Sequence, residues 1–272
     1  MLNQQLSEVL NHPLLAPHKE IILASAKPTV SIELTRQDKG LTLWQSKVGG
    51  DPYLPKGADH PHHPNGHALT LLAQINFAEV PKLPDFPEKG ILQFFIDGKD
   101  KDGIYGMNWD NLFEQTGFRV VYYADVSENI DDLVTDFAPY AVEIDKYGLP
   151  FKGQYAMAFI LQEQLMPSEE VGRDKQLEEL LYNDEEFYKV YRRHSESIGH
   201  RIGGYPAFVQ GDPRYVDKTL ADYILLFQLD SDYHKDNKEI LWGDAGIGNF
   251  FIHPDDLKNL DFSKVLYNWA GC

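Results

Sequence analysis

At 272 residues, with 43% hydrophobic and 25% charged side chains, the chain has the make-up of a soluble globular protein, not a disordered, collagenous or coiled-coil one. Its 25 basic against 42 acidic residues leave a formal charge of −17, which argues against nucleic acid and anionic lipid as partners. A single cysteine, Cys272, allows no intrachain disulfide, and no apolar run approaches the roughly 18 residues of a membrane span, so the expected compartment is the cytoplasm.

Taken in chain order, residues 2–10 and 18–25 carry apolar side chains at helical spacing, interrupted by Pro13 and Pro17. Residues 30–34 alternate apolar and polar and predict a strand, joined to a second at 41–44 by a turn at Asp38-Lys39-Gly40. Apolar runs at 69–75 and 91–96 predict buried strands, and 118–123 is rich in β-branched and aromatic residues. The second half opens with a strand at 155–161 and a helix from Pro167 to about Arg193. Strands at 223–229, 239–242 and 249–252 follow, then a helical turn at 254–257 and a last strand at 264–269.

An internal likeness runs through these elements. Lys47-Val-Gly-Gly-Asp-Pro52 reads against Arg201-Ile-Gly-Gly-Tyr-Pro206, and the same spacing sets Leu71-Leu-Ala-Gln-Ile-Asn76 on Leu225-Leu-Phe-Gln-Leu-Asp230. Gly49, Gly50, Pro52, Gly57, Leu71, Leu72 and Gln74 are identical to their counterparts. The expectation is therefore α+β, with an internal duplication: two similar units with mostly antiparallel sheets, packed as one pseudo-twofold body. A single domain, 1–272, holds repeat units at approximately 28–145 and 154–272, with no Gly/Ser-rich linker between them.

The segments 49–55, 71–77, 90–97, 225–232 and 242–252 resemble the YwqG-like family of bacterial proteins, over a span from about residue 30 to the C-terminus. That resemblance implies an α+β fold, a bacterial origin and occasional genomic proximity to toxin-type loci. It implies no chemistry, because the family is a domain of unknown function.

Candidate ligand-binding residues are the paired glycines Gly49-Gly50 and Gly203-Gly204, whose backbone N–H groups can cradle an anion, with Lys47 and Arg201 to supply charge. Gln74 and Gln228 occupy matching positions inside apolar strands and either satisfy nearby backbone or face a shared cleft. Neither glycine pair has phosphate-loop or dinucleotide spacing. No metal is expected; the alternative ligand set is His60, His62, His63 and His67, on a loop lacking the His-Glu-x-x-His pattern. The carboxylate loops 97–103 and 230–236 read as solvated surface, the first failing the calcium-loop pattern at both of its end positions. Tyr53, Tyr105, Trp109, Tyr205 and Trp242 are candidates to ring a cleft or interface.

No catalytic residue, catalytic motif or cofactor is expected. The leading expectation is a binding or protein-interaction module, with a toxin-neutralising variant of it, for a protein partner that is basic. The alternative is a small-molecule enzyme or carrier holding an anion in a cleft between the repeats.

Overall fold

The computed structural model describes residues 6, 9–145, 148–215, 217–232 and 239–271. Ten strands form one sheet: β1 (Lys27–Arg36), β2 (Lys47–Val48), β3 (Thr70–Asn76), β4 (Ile91–Ile96), β5 (Phe118–Tyr123), β6 (Tyr155–Gln164), β7 (His200–Gly203), β8 (Ile224–Asp230), β9 (Ile247–Ile252) and β10 (Leu266–Ala270). Their order is β10-β9-β8-β7-β1-β6-β2-β3-β4-β5, antiparallel throughout. The helices are few and short: α1 (Lys19–Ala24), α2 (Lys175–Asn183), α3 (Glu185–Arg192) and α4 (Pro254–Lys258), with several single 3-10 turns.

This corrects the expected α+β body of two packed units. The protein is mostly sheet, a ten-stranded antiparallel barrel-like sheet that nearly closes, and it does not show an internal duplication into two units. The expected unit boundary falls across strand pairs. β1 of the first stretch lies between β6 and β7 of the second, and β6 pairs with β2 of the first. The core is shared as well: the Phe94 ring stacks on Phe227 at 4.9 Å and lies 4.6 Å from Phe250. Burying one continuous apolar interior is more favourable than closing two small ones, each with its own exposed seam.

The long β1–β6 pairing, from Lys27 opposite Gln164 to Arg36 opposite Tyr155, forms the centre of the sheet. β4 and β9 are buried along their whole length, so both faces of each strand are covered. The near-closure is visible at the far edges, where the Phe118 ring of β5 lies 5.1 Å from Tyr267 of β10. A second cluster packs α1, α2 and α3 against Leu165, Met166 and Tyr205 through Ile22, Leu177, Leu181, Phe187 and Tyr191.

Several local expectations change. Residues 41–44 form turns instead of a strand, and the hairpin is absent because β1 takes β6 and β7 as partners. The expected helix of 167–193 is divided: Asp174 and Asp184, both extended, each cap a new helix by accepting from backbone N–H groups. Residues 239–242 make only isolated bridges, Ile240 to Phe151 and Trp242 to Gly246. The helix expected at 2–10 and the Cys272 thiol lie largely or wholly outside the described residues. Among those described, no helix is long and apolar enough to cross a membrane.

Candidate functional site

Lys47 and Gln74 are register partners across β2 and β3, and Arg201 and Gln228 are register partners across β7 and β8. The Gln74 amide donates to Leu43 O and Gln45 O and accepts from Tyr53 N and from the Gln93 amide, all at 2.7–2.8 Å. The Gln228 amide donates to Ser197 O (2.9 Å) and Gly199 O (2.7 Å) and accepts from Ala207 N (2.8 Å). Each glutamine thus ties the loop before its short strand to the loop after it. The structure does not bring the two into a shared cleft.

Both glycine pairs are left-handed, with φ of +65° and +72° at Gly49-Gly50 and again at Gly203-Gly204. Side chains already lie over them: a Cβ on Gly50 would meet Gln154 Oε1 at 2.2 Å, and one on Gly204 would meet Gln164 Oε1 at 2.3 Å. The Tyr205 N–H donates to that same Gln164 oxygen at 2.7 Å, and the Gly49 N–H donates to Leu72 O at 3.0 Å. The glycines serve close packing on the sheet.

The two cations differ. Lys47 is 1% exposed, and its ammonium donates to Thr42 O (2.8 Å) and Asp51 O (2.9 Å). Burial lowers its pKa to about 8, with Asp51 and Glu79 opposing. Arg201, 5% exposed, donates from one terminal nitrogen to Ile198 O, and its Nε has no partner. Burial lowers its pKa to about 10, against the attraction of Asp230. Among the described residues no ion pair joins Arg201 to a carboxylate.

Arg201 lines a half-open cleft of about 910 Å³. Its polar lining includes Glu33, His200, Asp230, Ser231 and Asp232, and its apolar wall includes Ile198, Phe208 and Ile247. Asp230 is 7% exposed and accepts from Gly199 N at 2.6 Å. Burial raises its pKa in spite of that bond and of Arg201. The His200 ring accepts the Asp230 N–H at Nδ1, 3.1 Å. Lys47 does not line this cleft. Three carboxylates against one buried guanidinium give the cleft an acidic character, with an apolar wall.

The histidine loop divides into two groups. His60 stacks on Tyr140 at 4.4 Å, its pKa lowered by burial, and His62 Nδ1 lies 2.7 Å from His60 O. His63 and His67 face each other across a tight turn, closed by His63 N to His67 O at 2.9 Å, and their rings stack at 4.8 Å. Asp97 at the end of β4 joins them: its Oδ1 lies 2.8 Å from His67 Nε2.

Sequence reasoning overlooked Asp97 and Asp230 as site residues because each opens a carboxylate-rich loop that reads as solvated. Both are buried, at 6% and 7% exposure. The available signal was their place directly after a buried strand, where a side chain still belongs to the sheet. Residues 233–236 of the second loop lie outside the described residues. Of the proposed cleft aromatics, Tyr53, Tyr105, Tyr205 and Trp242 are buried in cores, and Trp109 is exposed.

A family model described as a domain of unknown function, DUF1963, matches residues 46–272. The chain belongs to the DUF1963 family. The DUF1963 match takes in both glycine pairs, the histidine loop and nine of the ten strands, while β1, which contributes Glu33 to the cleft, precedes it. No curated protein matches the chain.

Proposed function

We propose that this DUF1963 chain is a binding module that takes a basic polypeptide segment in the cleft beside Arg201. The observation that carries this reading is the grouping of Glu33, Asp230 and Asp232 around a half-open cleft with an apolar wall, on a chain of net charge −17. The carboxylates recognise Lys or Arg side chains, and Ile198 and Phe208 take their alkyl stems. The single cysteine supports the cytoplasm as its compartment, and the quoted motifs support the narrower YwqG-like assignment.

The test uses fluorescein-labelled random-order decapeptides, one set Lys/Arg-rich and one Asp/Glu-rich, followed by anisotropy. The basic set is expected to bind, to weaken as salt rises, and to lose about tenfold or more in affinity to the Glu33→Gln/Asp232→Asn protein. Equal binding of both sets, or an unchanged affinity in that double variant, overturns the proposal. The place of Arg201 in the cleft lining, with no ion pair to a carboxylate among the described residues, favours a second reading, a carrier of small anions. That reading predicts chromatographic co-purification of an anionic metabolite that is lost in Arg201→Met.

A further inference from the structure

The geometry points to a divalent transition-metal site of the zinc type formed by His63, His67 and Asp97. One ligand atom from each of these three side chains lies within 4.8 Å of the other two. They converge from two elements. The turn between His63 and His67 is held by the His63 N to His67 O bond and the Gly66 N to His63 O bond, 2.9 and 2.8 Å, with Gly66 left-handed at φ +90°. The bridge between His62 and Ala68 fixes the stem of that turn. Asp97 comes from the rigid end of β4, where Lys99 N donates to its Oδ1 at 2.8 Å.

Two imidazoles and one carboxylate are borderline donors suited to zinc, cobalt or nickel, and too few in oxygen for calcium. A tetrahedral ion at about 2.0–2.1 Å from each ligand sets the donor atoms about 3.3 Å apart. Small rotations of the two half-buried histidines bring them to that spacing, while the buried Asp97 supplies the fixed point. The ion takes the place of the proton between His67 Nε2 and Asp97 Oδ1, and the neutral ring keeps that proton on its other nitrogen, Nδ1, by changing tautomer. His63 Nδ1 accepts from Asn65 N at 3.1 Å, so its ring gives up that bond to hold the metal, at Nδ1 directly or at Nε2 once the proton has moved to Nδ1. Three protein ligands leave at least one coordination position open to water or to an anion.

His60 and His62 stay out of the set, held by Tyr140, Pro61 O and His60 O. None of the three ligands lines the Arg201 cleft, so the site stands or falls independently of the peptide-binding reading.

The experiment uses untagged protein stripped with chelator, titrated with Zn²⁺ by calorimetry and with Co²⁺ by visible absorption. One equivalent of each is expected to bind, with Co²⁺ bands of low-symmetry coordination and a melting temperature that rises with Zn²⁺. His63→Ala, His67→Ala and Asp97→Asn are each expected to weaken binding at least tenfold. His60→Ala is expected to keep wild-type affinity. Circular dichroism and the metal-free melting temperature check that each variant folds. No saturable binding below about 1 mM, or wild-type affinity in folded His67→Ala or Asp97→Asn, overturns the site.

Discussion

The corner at Lys47 and the corner at Arg201 share a hydrogen-bond plan and differ in how completely it is satisfied. In both, a short strand carrying a buried cation pairs with a strand carrying a buried glutamine, and a left-handed Gly-Gly follows. At Lys47 the ammonium is held by Thr42 O and Asp51 O and the corner is closed. At Arg201 one terminal nitrogen reaches Ile198 O, Nε has no partner, and the side chain lines a cleft. A buried charge with an unmade hydrogen bond is costly to stability, whereas one held by two backbone carbonyls ties its loop to the strand. The comparison therefore separates a corner closed by its own backbone, at Lys47, from one whose cation lines open space, at Arg201.

The largest test of the shared plan is removal of the glutamines. Gln74→Leu and Gln228→Leu each strand two backbone carbonyls and one backbone N–H, and each is expected to lower stability by about 2–4 kcal/mol in urea unfolding. A normal stability for one and a large loss for the other breaks the likeness of the corners. A smaller effect separates the first glycines. A Cβ on Gly49 meets the backbone Gly153 O at 2.6 Å, while one on Gly203 meets Leu83 Cδ2 at 2.8 Å, the end of a side chain that can move. Both alanines are strained at φ +65°, so Gly203→Ala is expected to cost about 1–2 kcal/mol and Gly49→Ala measurably more.

The finest test is pH dependence. Lys47 has a pKa of about 8 in the fold against 10.5 for the free side chain. Below pH 8 both states hold the proton and the cost of burying it is fully present. Between those values the unfolded chain binds more protons, so stability rises with pH, by roughly 3 kcal/mol in total. The difference in unfolding free energy between wild type and Lys47→Met should therefore grow in favour of wild type from pH 8 to 10. The Arg201 shift begins only near pH 10, so Arg201→Met should leave the slope between pH 8 and pH 10 unchanged. A flat Lys47 difference would show that its ammonium is better solvated than the closed corner implies.

Legibility in the sequence followed the strength of the local signal. Runs that are apolar and bounded by glycine or proline, such as β4 and β5, were readable to the residue. β2 and β7 escaped because they are two and four residues long and hold a cation at a buried position. Residues 41–44 have strand composition, yet their carbonyls are taken by the side chains of Gln74, Asn76 and Lys47, a competition that only the fold reveals. The likeness between the two stretches was legible as residue matches. The exchange of strands across the supposed boundary was not, because pairing between β1 and its distant partners leaves no trace in local pattern.

That central strand sets a timetable for the chain's synthesis. β1 is made first of the ten strands, yet both of its neighbours, β6 and β7, come from residues 155–164 and 200–203. A nascent chain therefore carries this ten-residue segment with neither partner available until residue 155 is made, and with one of the two still missing until residue 200. Closure by such distant partners is slow, and an unpaired strand edge invites wrong pairing in the interval.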